Sequence, residues 1–135
     1  MKRLKLIPFL LFAMLFAGCS DDEDGDATLQ GQWKLTHVVG GVAGVDDDFT
    51  PGTVVWSFNT TTTSLAVNNN NTDETLQDFM NSGTYDYEFA ENTDTNDCEE
   101  VIVINGISFG CMSLSNNQLT FTQIEDDGFT LTFIR

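Results

Sequence analysis

Cysteine and histidine have the widest chemical range of any residues here, and the chain contains few of them. Its 135 residues include three cysteines, Cys19, Cys98 and Cys111, and one histidine, His37. A zinc site needs about four ligands, and a nucleophile needs a nearby base. No nucleophile or orienting carboxylate stands at a recognisable spacing from His37, which we place on the strand face of Trp33 and Leu35. We therefore expect no catalytic residues, no metal centre and no enzyme.

Carboxylates are more numerous, and they cluster at residues 46–48, 94–97 and 125–127. None of these clusters has the spacing of a calcium-binding EF-hand loop with its closing glutamate, so solvated turns are predicted. Asp86 and Glu88 could form an acid–base pair, but they alternate with tyrosines and should face solvent. The chain lacks a glycine-rich phosphate loop and a nucleophile elbow, so we expect no cofactor.

The first 18 residues have the layout of a bacterial secretory signal. Lys2, Arg3 and Lys5 give a charged start, and an apolar run covers residues 6–17. This run is shorter than the about 20 residues that span a bilayer. We predict that residues 1–18 form a signal peptide that is removed.

The residues around the predicted cleavage point, Ala17-Gly18-Cys19, resemble a lipobox, with Phe16 where leucine is usual. The resemblance implies that Cys19 carries a diacylglyceryl thioether and an N-acyl chain such as palmitate. Two or more chains anchor a protein stably, so we expect attachment to the bacterial outer membrane. An ordinary signal with an incidental cysteine is the alternative.

An acidic stretch over residues 20–24 follows Cys19 in the part interpreted as a flexible tether, residues 19–28. The stretch resembles the export signal of surface-displayed lipoproteins in Bacteroidota-type bacteria, and a solvated spacer is the alternative. All 21 acidic residues follow the signal, where only Lys34 and Arg135 are basic, giving a net charge of −19 (2 − 21). Binding to nucleic acid requires basic contacts to phosphate and is excluded.

Alternation with a period of two residues runs through most of residues 29–135, the predicted single domain. It indicates about eight short strands, with a loop over residues 46–52 and a short helix over residues 72–80. Eight antiparallel strands with one apolar face favour an all-β, up-and-down barrel over a sandwich. Asn105-Gly106 predicts a type I′ hairpin between Cys98 and Cys111. An even cysteine pair in an oxidising compartment predicts a disulfide between them.

Gly31-Gln32-Trp33 resembles the Gly-x-Trp motif that opens the first strand of lipocalins. The resemblance implies that Trp33 closes one end of the barrel and that Arg135 lies across it. Together with residues 51–58 and 82–87, it points to the lipocalin-like lipoproteins of Bacteroidota-type bacteria. The lipocalin Thr-Asp-Tyr loop motif is absent in that form, so the ligand habits of the larger family transfer poorly.

A lipocalin-like barrel implies a small hydrophobic ligand, and the aromatic residues are the candidates to line its cavity. The predicted lining residues are Trp56, Phe58, Tyr85, Tyr87 and Phe89, with Phe109, Phe121, Phe129 and Phe133 as further candidates. The alternative is a barrel whose core is filled by these side chains, in a non-enzymatic surface protein that binds a protein or glycan.

Overall fold

The computed structural model describes residues 27–93 and 97–135, which form nine β-strands and no helix. The strands are β1 (Gly31–Gly40), β2 (Val45–Asp48), β3 (Val54–Asn59), β4 (Ser64–Asn69), β5 (Gly83–Glu91), β6 (Glu100–Ile104), β7 (Ile107–Leu114), β8 (Gln118–Thr122) and β9 (Phe129–Ile134). The predicted signal peptide, Cys19, tether residues 19–26 and residues 94–96 lie outside the described residues. Within the two described ranges, no helix has the length and apolar character needed to cross a bilayer.

Every strand pairs antiparallel with its neighbours, and the pairing of β9 with β1 closes the sheet into a barrel. Because β9 occupies one edge of β1, β2 and β3 must share the other edge, at residues 37–40 and 31–34 respectively. They behave as two pieces of one strand interrupted by residues 49–53. The wall therefore has eight strand positions, which confirms the predicted all-β, lipocalin-like barrel of about eight strands.

Two loop predictions are wrong in detail. The three aspartates at residues 46–48 belong to β2 and pair with residues 37–39 of β1, although they were expected in a loop. Residues 72–80 contain no helix. There, the Asp73 carboxylate accepts hydrogen bonds from the Thr75 backbone amide and hydroxyl. The Asn71 side-chain amide donates to the Asp78 carboxylate at 3.0 Å. Such local side-chain bonds compete with a helical backbone.

The position of His37 also differs from the prediction. The pairing of β1 with β9 shifts register between Leu35 and His37, where one extra residue is accommodated. Leu35 and Val38 are both fully buried, whereas the His37 side chain is 36% exposed. The bulge therefore turns His37 away from the face that carries Trp33 and Leu35.

The two features predicted around the Asn105-Gly106 turn are confirmed. Both residues have positive φ angles, 51° and 77°, as a type I′ turn requires. Cys98 and Cys111 form a disulfide with their Cα atoms 5.9 Å apart. The bond fastens the segment before β6 to β7.

Candidate functional site

The barrel interior is packed with aromatic rings around Trp56. Four phenylalanine rings have centroids 4.9–6.3 Å from that of Trp56, and they are Phe58, Phe109, Phe121 and Phe133. All five side chains are 2% exposed or less. They come from β3, β7, β8 and β9, where period-two alternation directs them inward. These rings occupy the centre where a lipocalin-like barrel would hold a ligand.

The two tryptophans differ in how their indole N–H groups are satisfied. Trp33 Nε1 donates to the Leu29 carbonyl oxygen at 2.9 Å. Trp56 Nε1 is buried and has no hydrogen-bond partner, and it is the only such side-chain nitrogen or oxygen in residues 27–93 and 97–135. A buried donor without an acceptor lowers the free energy of unfolding by about 1–3 kcal/mol, so such a group is uncommon inside a folded protein.

The three predicted lining residues of β5 have different environments. Tyr87 is buried with its ring 5.4 Å from that of Phe58, and burial raises the pKa of its phenol. Tyr85 is half-buried, and its hydroxyl donates to the Asn81 carbonyl oxygen at 2.9 Å. Phe89 follows the same strand face but reaches the end of the barrel, where it is 43% exposed. Phe89 is therefore a rim residue and does not line the interior.

One end of the barrel is closed by Trp33 and Arg135. The Arg135 guanidinium carbon lies 4.3 Å from the centre of the Trp33 ring, the arrangement that the lipocalin resemblance implied. Its guanidinium also donates to the carbonyl oxygens of Thr28 and Gln30. The Gln30 side chain accepts from the Thr60 amide at 2.8 Å, so the entering chain is fastened across this end.

The opposite end is covered by residues 70–82, the long connection between β4 and β5, which we call the cap. Its Phe79 ring lies 6.0 Å from that of Phe109 and 5.0 Å from that of Phe129. The cap is held to β2 by a hydrogen bond from the Gln77 amide to Asp47 Oδ2 at 2.8 Å. Phe79 therefore plugs the end of the barrel with a ring from a segment outside its wall.

The backbone of Phe79 has a φ of 63°, in the left-handed region. A bulky side chain rarely adopts this conformation, and it costs about 1–2 kcal/mol relative to ordinary backbone. The packing of this partly buried ring against Phe109 and Phe129 offsets part of that cost. This role of Phe79 was not predicted, because the residue lay in the predicted helix and no local sequence pattern distinguishes a phenylalanine that closes a barrel end.

His37 lies between two aspartates of β2 on the outer face. Its Nδ1 is 2.7 Å from Asp48 Oδ1, and its Nε2 is 3.5 Å from Asp46 Oδ1. These contacts fasten β2 to β1 at the barrel surface. Within the part of the chain that the structure describes, no group of three or more His, Cys, Asp or Glu side chains is arranged to hold a metal ion.

A groove of about 470 Å³ lies on the outer face, beside the segment fastened by the disulfide. Val101 and Ile124 contribute apolar surface to it, and Glu91, Glu125 and Asp126 contribute carboxylates. The groove is separate from the aromatic interior, because Val101 alternates along β6 with the inward-facing Ile102.

The fold and the interior define an antiparallel β-barrel with an aromatic core, one end closed by a Trp–Arg pair and the other by a cap. Searches against models of protein families, curated proteins and solved structures gave no match for this chain.

Proposed function

We propose that this chain is a lipid-anchored lipoprotein of the bacterial outer membrane whose lipocalin-like barrel binds a small hydrophobic ligand beneath the cap. The observation that carries the proposal is the Phe79 plug. An aromatic ring from a segment outside the wall occupies a space bordered by Phe109 and Phe129, on a backbone with a φ of 63°. An apolar guest could take the place of this ring without rearranging the strands.

The cap is attached to the barrel by more than this ring, because Met80 is 6% exposed within the core and the Asn70 backbone amide donates to the Thr53 carbonyl oxygen at 2.9 Å. Gln77 donates one hydrogen bond to Asp47, and Asn69 Nδ2 donates to the Met80 carbonyl oxygen at 2.9 Å. Much of its remaining bonding is internal to the segment, as between Asn71 and Asp78. Opening the cap to admit a guest would therefore break these hydrogen bonds and expose Met80.

The second candidate is a non-enzymatic surface protein with a filled barrel that binds a protein or glycan. The close packing of Phe58, Phe121 and Phe133 around Trp56 favours it, because these rings leave the centre occupied. Both candidates treat the protein as a binding module without catalysis. They differ in whether the space under the cap accepts a guest.

Phe79→Ala separates the two candidates. The probe is N-phenyl-1-naphthylamine, a neutral aromatic dye whose fluorescence rises in apolar surroundings. If the plug occupies the ligand's place, the variant should bind the dye at least about tenfold more tightly than the unaltered chain, because the dye no longer has to displace the partly buried Phe79 ring. Phe89→Ala is the matched control, since it removes the same side chain from the opposite rim. Equal dye binding by both variants would favour the filled barrel.

The anchor is tested separately. We expect Cys19→Ser to abolish acylation and to move the protein from the membrane fraction to the soluble fraction. Mass spectrometry of the unaltered protein should find residue 19 at its N-terminus carrying acyl chains. Persistent membrane attachment of the variant would contradict the anchor.

A further inference from the structure

The unpartnered N–H of Trp56 indicates which chemical group the proposed hydrophobic ligand, here called the guest, should carry. The side chain is fully buried, and its neighbours are the phenylalanine rings described above. A buried N–H strongly favours an oxygen or nitrogen acceptor, because its hydration has been lost without replacement. The question is which group can supply that acceptor.

The interior itself offers few candidates. Tyr87 carries the one buried hydroxyl in the described ranges of the chain, and its ring packs against Phe58 and Phe89. A trapped water molecule needs two to four polar partners to be held in place, and Trp56 Nε1 is the one unpartnered buried side-chain group there. Neither a neighbouring side chain nor an isolated water is a good acceptor for this donor.

We infer that Trp56 Nε1 donates a hydrogen bond to a carbonyl-type oxygen on the guest, which is otherwise neutral and apolar. This inference rests on the proposed function, since it requires a guest under the cap. A charged guest is disfavoured because the described interior has no buried charge to pair with it. A hydroxyl is a poorer group than a carbonyl, because it would bring a second donor that also needs a partner.

The path from the cap to Trp56 passes one ring. Phe109 lies 6.0 Å from Phe79 and 5.5 Å from Trp56, measured between ring centroids. A guest that replaces the Phe79 ring therefore contacts Phe109 first. For its oxygen to reach the indole, the guest must displace the Phe109 ring, which is 1% exposed, from its place against Trp56.

A matched pair of probes tests the inference. Acetophenone and ethylbenzene have similar size and one phenyl ring each, but only acetophenone carries a carbonyl oxygen. Both are titrated into the Phe79→Ala chain, in which the plug is absent, while its two indole N–H signals are followed by NMR. Trp33 Nε1 already donates to Leu29 and serves as the internal reference. The same titration is repeated with Trp56→Phe added, which removes the donor and keeps an aromatic ring.

We expect acetophenone to bind about tenfold more tightly than ethylbenzene and to shift the Trp56 indole proton downfield while leaving that of Trp33 in place. This preference should disappear with Trp56→Phe. Equal binding of the two probes with an unmoved Trp56 signal would overturn the inference and leave ligand binding standing. A preference that survives Trp56→Phe would also overturn it. Binding of neither probe would overturn both the inference and the proposed function.

Discussion

Arg135 and Trp33 form a cation–π contact, with the guanidinium carbon 4.3 Å from the ring centre, at the point where the last strand meets the first. Trp33 is fully buried, and the guanidinium above it also holds the carbonyl groups of Thr28 and Gln30. One residue after β9 thus joins the entering chain, the first strand and the last. This arrangement gives a structural reason for a basic residue at this position in such an acidic chain.

Arg135→Ala should lower the free energy of unfolding by about 1–2 kcal/mol, because both the cation–π contact and the hydrogen bonds to backbone carbonyls are lost. Urea denaturation followed by tryptophan fluorescence measures the change. Lys34→Ala is the control, because it removes the same charge from β1 without a ring contact. A similar loss in both variants would show that net charge, and not the contact with Trp33, sets the effect.

The disulfide should contribute about 3 kcal/mol by restricting the unfolded chain. We expect the double variant Cys98→Ser with Cys111→Ser to keep its barrel but to unfold at a lower urea concentration. Treating the unaltered protein with a reductant should produce the same shift, while the double variant should not respond. If reduction leaves the midpoint of the unaltered protein unchanged, the bond does not stabilise the fold.

Gly110 is required by the close approach of two strands. Its φ is 81°, and an added Cβ would overlap the Thr122 carbonyl oxygen of β8. Gly52 has a φ of 99° but nothing within 4 Å of such an atom. Gly52→Ala should cost about 1 kcal/mol of backbone strain. Gly110→Ala should cost about 1–3 kcal/mol more through overpacking. Equal melting temperatures for the two variants would contradict this close approach.

Stability should fall at alkaline pH because of Tyr87. Burial raises the pKa of its phenol in the folded state, so the unfolded state releases the proton at a lower pH. The stabilisation is fully present below the unfolded pKa, about 10, and is lost as pH rises through the folded value. Tyr87→Phe should flatten the decline in unfolding free energy above about pH 10. Tyr85→Phe keeps Tyr87 and should preserve the decline, so the same slope in both variants would argue against this origin.

The barrel itself was predictable because strand periodicity and turn chemistry are local signals. Phe129, Leu131 and Phe133 alternate with threonines and pack inward as expected, and Asn105-Gly106 forms its hairpin turn. The features that differ from the predictions depend on how distant segments pair, which the local sequence pattern does not contain. The bulge before His37 is set by the register between β1 and β9, which one strand's sequence does not reveal.

The candidate site was predictable only in part for a similar reason. Trp56, Phe58 and Tyr87 were assigned inward correctly, because alternation gives the face of a strand. Phe89 has the same alternation but lies past Asp86, where the pairing of β5 with β4 ends, and this strand offset decides the difference. Phe79 depends on the long cap, whose path follows from side-chain bonds of Asn71 and neighbouring residues.

The hydrogen bonds of Arg135 to Thr28 and Gln30 also hold the start of the described chain at the Trp33 end of the barrel. If Cys19 is held in a bilayer, seven residues, 20–26, separate it from Ala27, where the described chain begins, and this distance is at most about 28 Å. The end with Trp33 would then stand nearest the lipid, and Phe79 would look outward into the surrounding medium. A molecule arriving from solution would meet the cap before any other part of the barrel, whereas one leaving the bilayer would have to travel around the wall.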